Sequence, residues 1–142
     1  HLLGLHNSKP IDILDIGTGT GYFPFICEHY GHTVMAIDRD GNQVFNDVTR
    51  WLKVNRVTHE VRAFQPIPFL GKRFDLVTAF MVNFDRFPER DLAPWGPHEW
   101  TFFLSDLAAN HLKPQGRLFL ELNEHTQKVV DVLRLFESSG AN

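Results

Sequence analysis

Three glycines spaced two residues apart, Gly17, Gly19 and Gly21, follow directly on the apolar run Ile11 to Ile16. The run is short and rich in β-branched residues, so it reads as a strand, and the glycines break it before a predicted helix from about Tyr22 to Tyr30. Pro24 suits the first turn of that helix, where a missing N–H is harmless. A chain that leaves a strand through such a loop can bring its backbone close to a ligand without Cβ interference, then present helix N–H groups to an anion. A tight structural turn would use the same residues, so their position in the fold has to decide between the two readings.

The alternation continues along the chain. Thr33 to Ile37 is a second predicted strand, followed by a helix with Val44, Val48, Trp51 and Leu52 on one face. His59 to Phe64 is a weaker third strand, Pro66 and Pro68 enforce a loop, and Phe74 to Phe80 is an apolar fourth strand of the kind covered on both faces. The connection from Met81 to His98 has a length that usually serves function. Beyond it Trp100, Phe103, Leu104, Leu107, Ala108 and His111 recur at helical spacing and predict a helix over Glu99 to His111. Pro114 and Gly116 punctuate its end, and Arg117 to Leu122 makes a fifth strand. Val129, Val132, Leu133 and Phe136 then give a last helix one apolar face, with Gly140 as its stop. Strands alternating with helices predict an α/β fold with a doubly wound, mainly parallel sheet.

A chain of 142 residues, 43% of them hydrophobic, suits one domain with a substantial core. The net charge of -3 comes from scattered charges, without the basic stripe that carries most nucleic-acid affinity. Cys27 is the only cysteine, no run of about 18 apolar residues suggests a membrane span, and His1 to Lys9 lack a signal-peptide pattern. A soluble, cytoplasmic protein is expected. No metal is expected either, since His29 and His32 straddle a helix end and the other histidines form no ligand constellation.

In an open parallel sheet, ligands bind outside the carboxyl ends of the strands. Asp38 closes the second strand, next to the glycine loop, where a carboxylate can accept hydrogen bonds from two ribose hydroxyls. An ordinary turn aspartate is the alternative, because Asp40, Gly41 and Asn42 follow it; the glycine loop tips the reading toward an adenosine-binding pair. A dinucleotide fingerprint would need glycine where Tyr22 stands, which weighs against a nicotinamide oxidoreductase. A P-loop is excluded, since no Gly-Lys-Ser or Gly-Lys-Thr follows the glycines.

The segment Ile13-Leu14-Asp15-Ile16-Gly17-Thr18-Gly19-Thr20-Gly21 resembles the first motif of class I S-adenosylmethionine-dependent methyltransferases. The resemblance continues through Ala36-Ile37-Asp38, through Phe74 to Phe80, and through Leu112-Lys113-Pro114-Gln115-Gly116-Arg117-Leu118, in the family's order. It implies a Rossmann-like sheet of strand order 3-2-1-4-5 and S-adenosylmethionine as cofactor. It further implies that Gly17, Gly19 and Gly21, with Thr18 between them, border the methionine end, that Asp15 orients that end, and that Asp38, with Arg39 beside it, holds the ribose. Family members usually continue into two further strands and often carry an N-terminal helical segment over the substrate. Neither is expected from residues 1–142, so the chain reads as a single core domain, truncated at one or both ends or else an unusually minimal member.

Many members place an acid after the third strand to bind the adenine amino group, whereas the predicted strand end here reads Arg62-Ala63-Phe64-Gln65-Pro66. Gln65 would offer an amide oxygen and Phe64 a face for the purine, with an ordinary loop role open to both. Methyl transfer needs positioning more than a protein nucleophile. If the acceptor must lose a proton, Asn83 and His98 are the candidates, with Asn83 also expected at the cofactor. Glu99 equally suits a helix N-terminus. Glu121, Asn123, Glu124 and His125 can line an acceptor pocket or sit in solvent, and Trp95 and Trp100 can form an aromatic wall or belong to the core. Asn83-Phe84-Asp85-Arg86 lacks the Asn/Asp-Pro-Pro-Tyr/Phe tetrapeptide common among enzymes that methylate amino groups of nucleic acids and proteins, which favours a small-molecule acceptor. A catalytically silent S-adenosylmethionine-binding module is the rival from another functional class.

Overall fold

A computed structural model of the chain describes residues 3–84 and 95–122. Strand β1 (Asp12–Ile16), helix α1 (Tyr22–His29), strand β2 (Thr33–Asp38), helix α2 (Gln43–Trp51) and strand β3 (Arg56–Thr58) build one half of the sheet. Strand β4 (Phe74–Phe80), helix α3 (Pro97–Asp106), a π-helical turn (Leu107–His111) and strand β5 (Leu112–Glu121) build the other. The five strands are all parallel in the order β3-β2-β1-β4-β5, as expected. The predicted last helix, with Val129 to Phe136, lies outside the described residues. No helix among the described residues is long and apolar enough to cross a membrane.

Period-two alternation sends side chains to two separate cores. Ile13, Val34 and Leu76 point to the side where α1 buries Cys27. Leu14, Ile16, Ile37, Val77 and Ala79 point to the other side, where Trp100, Phe103 and Leu107 of the α3 segment cover them. Asp15 and Thr78, paired in register across β1 and β4, share the α1 side. At the amino ends of the strands Asp12 accepts from Lys72 (2.5 Å) and Lys113 (2.8 Å), and Lys113 also reaches Asp75 (2.9 Å), a partly exposed network that ties β1, β4 and β5.

Four expectations need correction. The third strand is Arg56–Thr58, not His59 to Phe64. Lys53 turns sharply at φ +56, so β3 begins almost at once and pairs with only the last three residues of β2. The N–H of His59 donates to Asp38 O (2.9 Å) and the chain then leaves the sheet.

Helix α2 does not bury the face that spacing suggested, because Val44 and Trp51 are 65% and 78% exposed while Thr49 is buried. Thr49 and Val54 press against Gly21, where only small side chains fit, and the Thr49 hydroxyl is satisfied by Phe45 O (2.8 Å). The helix over Glu99 to His111 starts earlier, at Pro97, and widens into the π-helical turn at Leu107. Finally, β5 starts at Leu112, which pairs with Phe74; the next pair is Leu76 with Arg117, so Lys113 to Gly116 bulge out within the strand rather than before it. Pro114 has no N–H to give the ladder, and Gly116 approaches Phe74 O too closely for a Cβ.

Candidate functional site

The carboxyl ends of β1, β2 and β4 converge on the glycine loop. Gly17 and Gly21 adopt φ of +71° and +80°, a left-handed region that disfavours side chains. A Cβ on Gly17 would lie 2.4 Å from a Val82 methyl carbon, and one on Gly21 would lie 2.8 Å from a Val54 methyl carbon. The Gly17 N–H donates to Ile37 O (2.8 Å), and the Gly21 N–H closes a turn onto Thr18 O (2.9 Å). Asp38 clamps the loop, its Oδ2 accepting from Gly19 N (2.7 Å) and its Oδ1 from Arg39 N (2.8 Å). Each carboxylate oxygen keeps a further lone pair for a hydroxyl donor.

A cleft of about 250 Å³ opens beside this clamp, with Gly17, Gly19, Asp38 and Arg39 on one side and His59, Glu60 and Val61 on another. Val82, Asn83 and Phe84 close it from the β4 side, and Phe45 reaches in from the first turn of α2. Burial holds His59 below its ordinary range despite the pull of Glu60, so it stands as a neutral imidazole at neutral pH. Glu60 is held by Arg62 at 2.6 and 3.0 Å.

On the α1 side of the loop a second chamber of about 460 Å³ is bordered by Asp15, Thr18, Thr20, Phe23, Phe45 and Phe80. Gly17, Gly19 and Phe45 line both spaces, so the loop is their shared wall. Asp15 is 2% exposed and accepts from Thr78 Oγ1 (2.8 Å). Burial pushes its carboxyl up to about 6; the hydroxyls of Thr18 and Thr78 oppose that rise, though Thr18 Oγ1 falls short of hydrogen-bond geometry.

The other expected residues scatter. Phe64 and Gln65 line neither space: Phe64 sits at φ +57, edge-on to Phe102 at 5.9 Å. With β3 ending at Thr58, the post-strand acid is Glu60, which the misread strand concealed. His98 is exposed on the first turn of α3 and lines neither space, and Glu99 caps that helix by accepting from Gly96 N (2.8 Å). Trp95 and Trp100 are core residues, 4% and 2% exposed. Glu121 is exposed and uses its carbonyl to accept from Met81 N (2.7 Å), while Asn123, Glu124 and His125 lie outside the described residues. Phe45, His59, Glu60, Val61, Val82 and Phe84 enter the site unannounced by any motif. Only the acid at Glu60 was within reach of sequence reasoning, had Val57-Thr58 been taken as the strand.

A family model described as a methyltransferase domain matches residues 1–138. No curated protein matches the chain in sequence. Among solved structures the chain is similar to a TehB-like SAM-dependent methyltransferase from Corynebacterium glutamicum ATCC 13032 Kitasato, with 16% identity and TM-score 0.63 over 96% of this chain and 68% of that one. It is similar to the PH0226 protein from Pyrococcus horikoshii OT3, with 20% identity and TM-score 0.58 over 98% and 57% of the two chains. It is also similar to the glycopeptide N-methyltransferase MtfA complexed with (S)-adenosyl-L-methionine, with 18% identity and TM-score 0.53 over 80% and 47%. At such identities the likeness establishes the fold, and the chain spans about half to two thirds of these proteins.

Proposed function

The chain belongs to the methyltransferase-domain family, and from that premise we propose that its two linked spaces hold S-adenosylmethionine for methyl transfer to a small-molecule acceptor. The observation that carries the proposal is the convergence of Asp38, Glu60 and the glycine loop on one cleft, with buried Asp15 in the chamber behind the same loop. In this reading Asp38 accepts from the ribose hydroxyls and Glu60 from the adenine amino group, beside the neutral ring of His59. The N–H groups at the start of α1 face the methionine carboxylate, and Asp15 takes the ammonium. The bound cofactor supplies a sulfonium methyl for in-line transfer to a nucleophilic atom of the acceptor.

What the protein contributes is orientation and exclusion of water. Phe23 and Phe80, 4.8 Å apart, and Phe45 make an apolar wall around the second chamber, which disfavours water where the methyl group would lie. Asn83 lines the cleft and is the chain's candidate for a polar contact to cofactor or acceptor. The net charge of -3, without a basic run, supports an acceptor other than nucleic acid.

The test is titration with S-adenosylhomocysteine. Of the three tryptophans, Trp51 is exposed, while Trp95 and Trp100 pack on Phe84 at the cleft. In a Trp51→Phe background the fluorescence of the other two should therefore change saturably with ligand, and calorimetry should detect no binding of reduced nicotinamide cofactor. A folded protein with no saturable response would overturn the proposal. Asp38→Ala removes both the ribose acceptor and the Gly19 clamp, and calorimetry should show affinity weaker by about 1–3 kcal/mol. Unchanged affinity in that variant would exclude Asp38 from the site.

A further inference from the structure

The segment after β4 crosses the glycine loop as a short bridge held at both ends. Met81 takes a left-handed backbone, φ +52, which an unbranched but Cβ-bearing residue keeps only where its surroundings impose it. Its N–H is tied to Glu121 O at the end of β5 (2.7 Å). Both Val82 methyl carbons lie against Gly17, at 2.4 and 3.0 Å from where a Cβ would stand. Phe84 ends the bridge by entering the core, 5% exposed. Its ring stacks on Trp95 at 5.3 Å and 29°, and meets Trp100 and Phe103 at 5.3 and 5.1 Å.

We propose that Phe84 is a positioning residue: anchored among Trp95, Trp100 and Phe103, it holds Val82 against Gly17 and keeps Asn83 at the cleft. The contact itself is independent of any ligand, whereas its effect on affinity rests on the S-adenosylmethionine reading above. Without the ring the bridge loses its anchor in the aromatic core, and the left-handed backbone at Met81 can relax. Val82 would then lift from the loop and the cleft would lose its β4-side wall. Loss of positioning of this kind is paid in affinity rather than in overall fold.

The test compares Phe84→Ala and the milder Phe84→Leu, which keeps a large apolar side chain, with Val34→Ala, a truncation in the opposite core cluster. Two readouts are taken: the nuclear Overhauser contact between Val82 methyl and Gly17 α protons in the ligand-free protein, and the dissociation constant for S-adenosylhomocysteine. Phe84→Ala should lose the contact and weaken binding at least about tenfold, Phe84→Leu should keep the contact and stay within roughly threefold, and Val34→Ala should change neither despite its loss of stability. Survival of the Val82 contact in Phe84→Ala, or equal weakening by Val34→Ala, would overturn the positioning role. Should the wild-type protein show the contact yet bind no S-adenosylhomocysteine, the cofactor reading falls while the contact readout still decides the role of Phe84.

Discussion

Gly17→Ala should abolish measurable cofactor binding and destabilise the protein. Two penalties combine. The backbone at φ +71 imposes about 1–2 kcal/mol of left-handed strain on any residue with a Cβ. The new methyl would also meet Val82, whose two methyl carbons and Cβ lie at 2.4, 3.0 and 3.3 Å, so no rotation about a single bond clears all three. Overpacking of this sort costs about 1–3 kcal/mol. Val82 yields only by lifting the bridge between Met81 and Phe84, which opens the cleft. Denaturant unfolding and calorimetry measure the two effects, and the double variant Gly17→Ala with Val82→Ala should recover the packing part of the stability but not the backbone part. A single variant with wild-type stability would show that Val82 does not press on the loop.

The second large effect belongs to Asp15 and depends on pH. Its carboxyl titrates near 3.8 when exposed and about 6 in the folded protein, because burial disfavours the charge. Between those values the folded state keeps a proton that the unfolded state has released, so stability contributed by this group is present below about pH 4 and is lost as pH rises through 6. The total is on the order of 3 kcal/mol. Asp15→Asn cannot ionise. The ligand-free variant should therefore gain stability relative to wild type as pH rises from 4 to 7.5, by up to about that amount, in chemical denaturation at the two pH values.

Binding should run the other way. A cationic ammonium beside Asp15 favours the carboxylate, so wild-type affinity for S-adenosylhomocysteine should rise as pH passes through 6 while the asparagine variant binds weakly with little dependence on Asp15's range. A relative stability that stays flat between pH 4 and 7.5 would mean that Asp15 is not buried as a titrating group.

Legibility in the sequence followed the range of the forces involved. β1, β4, the glycine loop and the start of α1 rest on neighbours a few residues apart, so apolar runs, Gly17, Gly21 and Pro24 were sufficient signals. Asp38 was legible because it ends a strand beside that loop, and its clamp on Gly19 follows from parallel strands ending at one edge.

β3 was misread because three residues hold less than two periods of a strand, and their structure comes from pairing with Ala36 to Asp38 rather than from their own composition. That one displacement carried the proposed adenine contact with it, from Glu60, which lines the cleft, to Phe64 and Gln65, which do not. The same reason hid the rest of the site. The amino-acid sequence alone determined the order of elements, the loop and the acid at its side, since these are written in local spacing. Tertiary structure decided that Thr49 rather than Trp51 turns inward on α2, that Glu60 meets Asp38 across a cleft, and that Phe84 in a core of tryptophans leaves Val82 standing over Gly17. Those are contacts between residues far apart in the chain, made by packing that no single segment specifies.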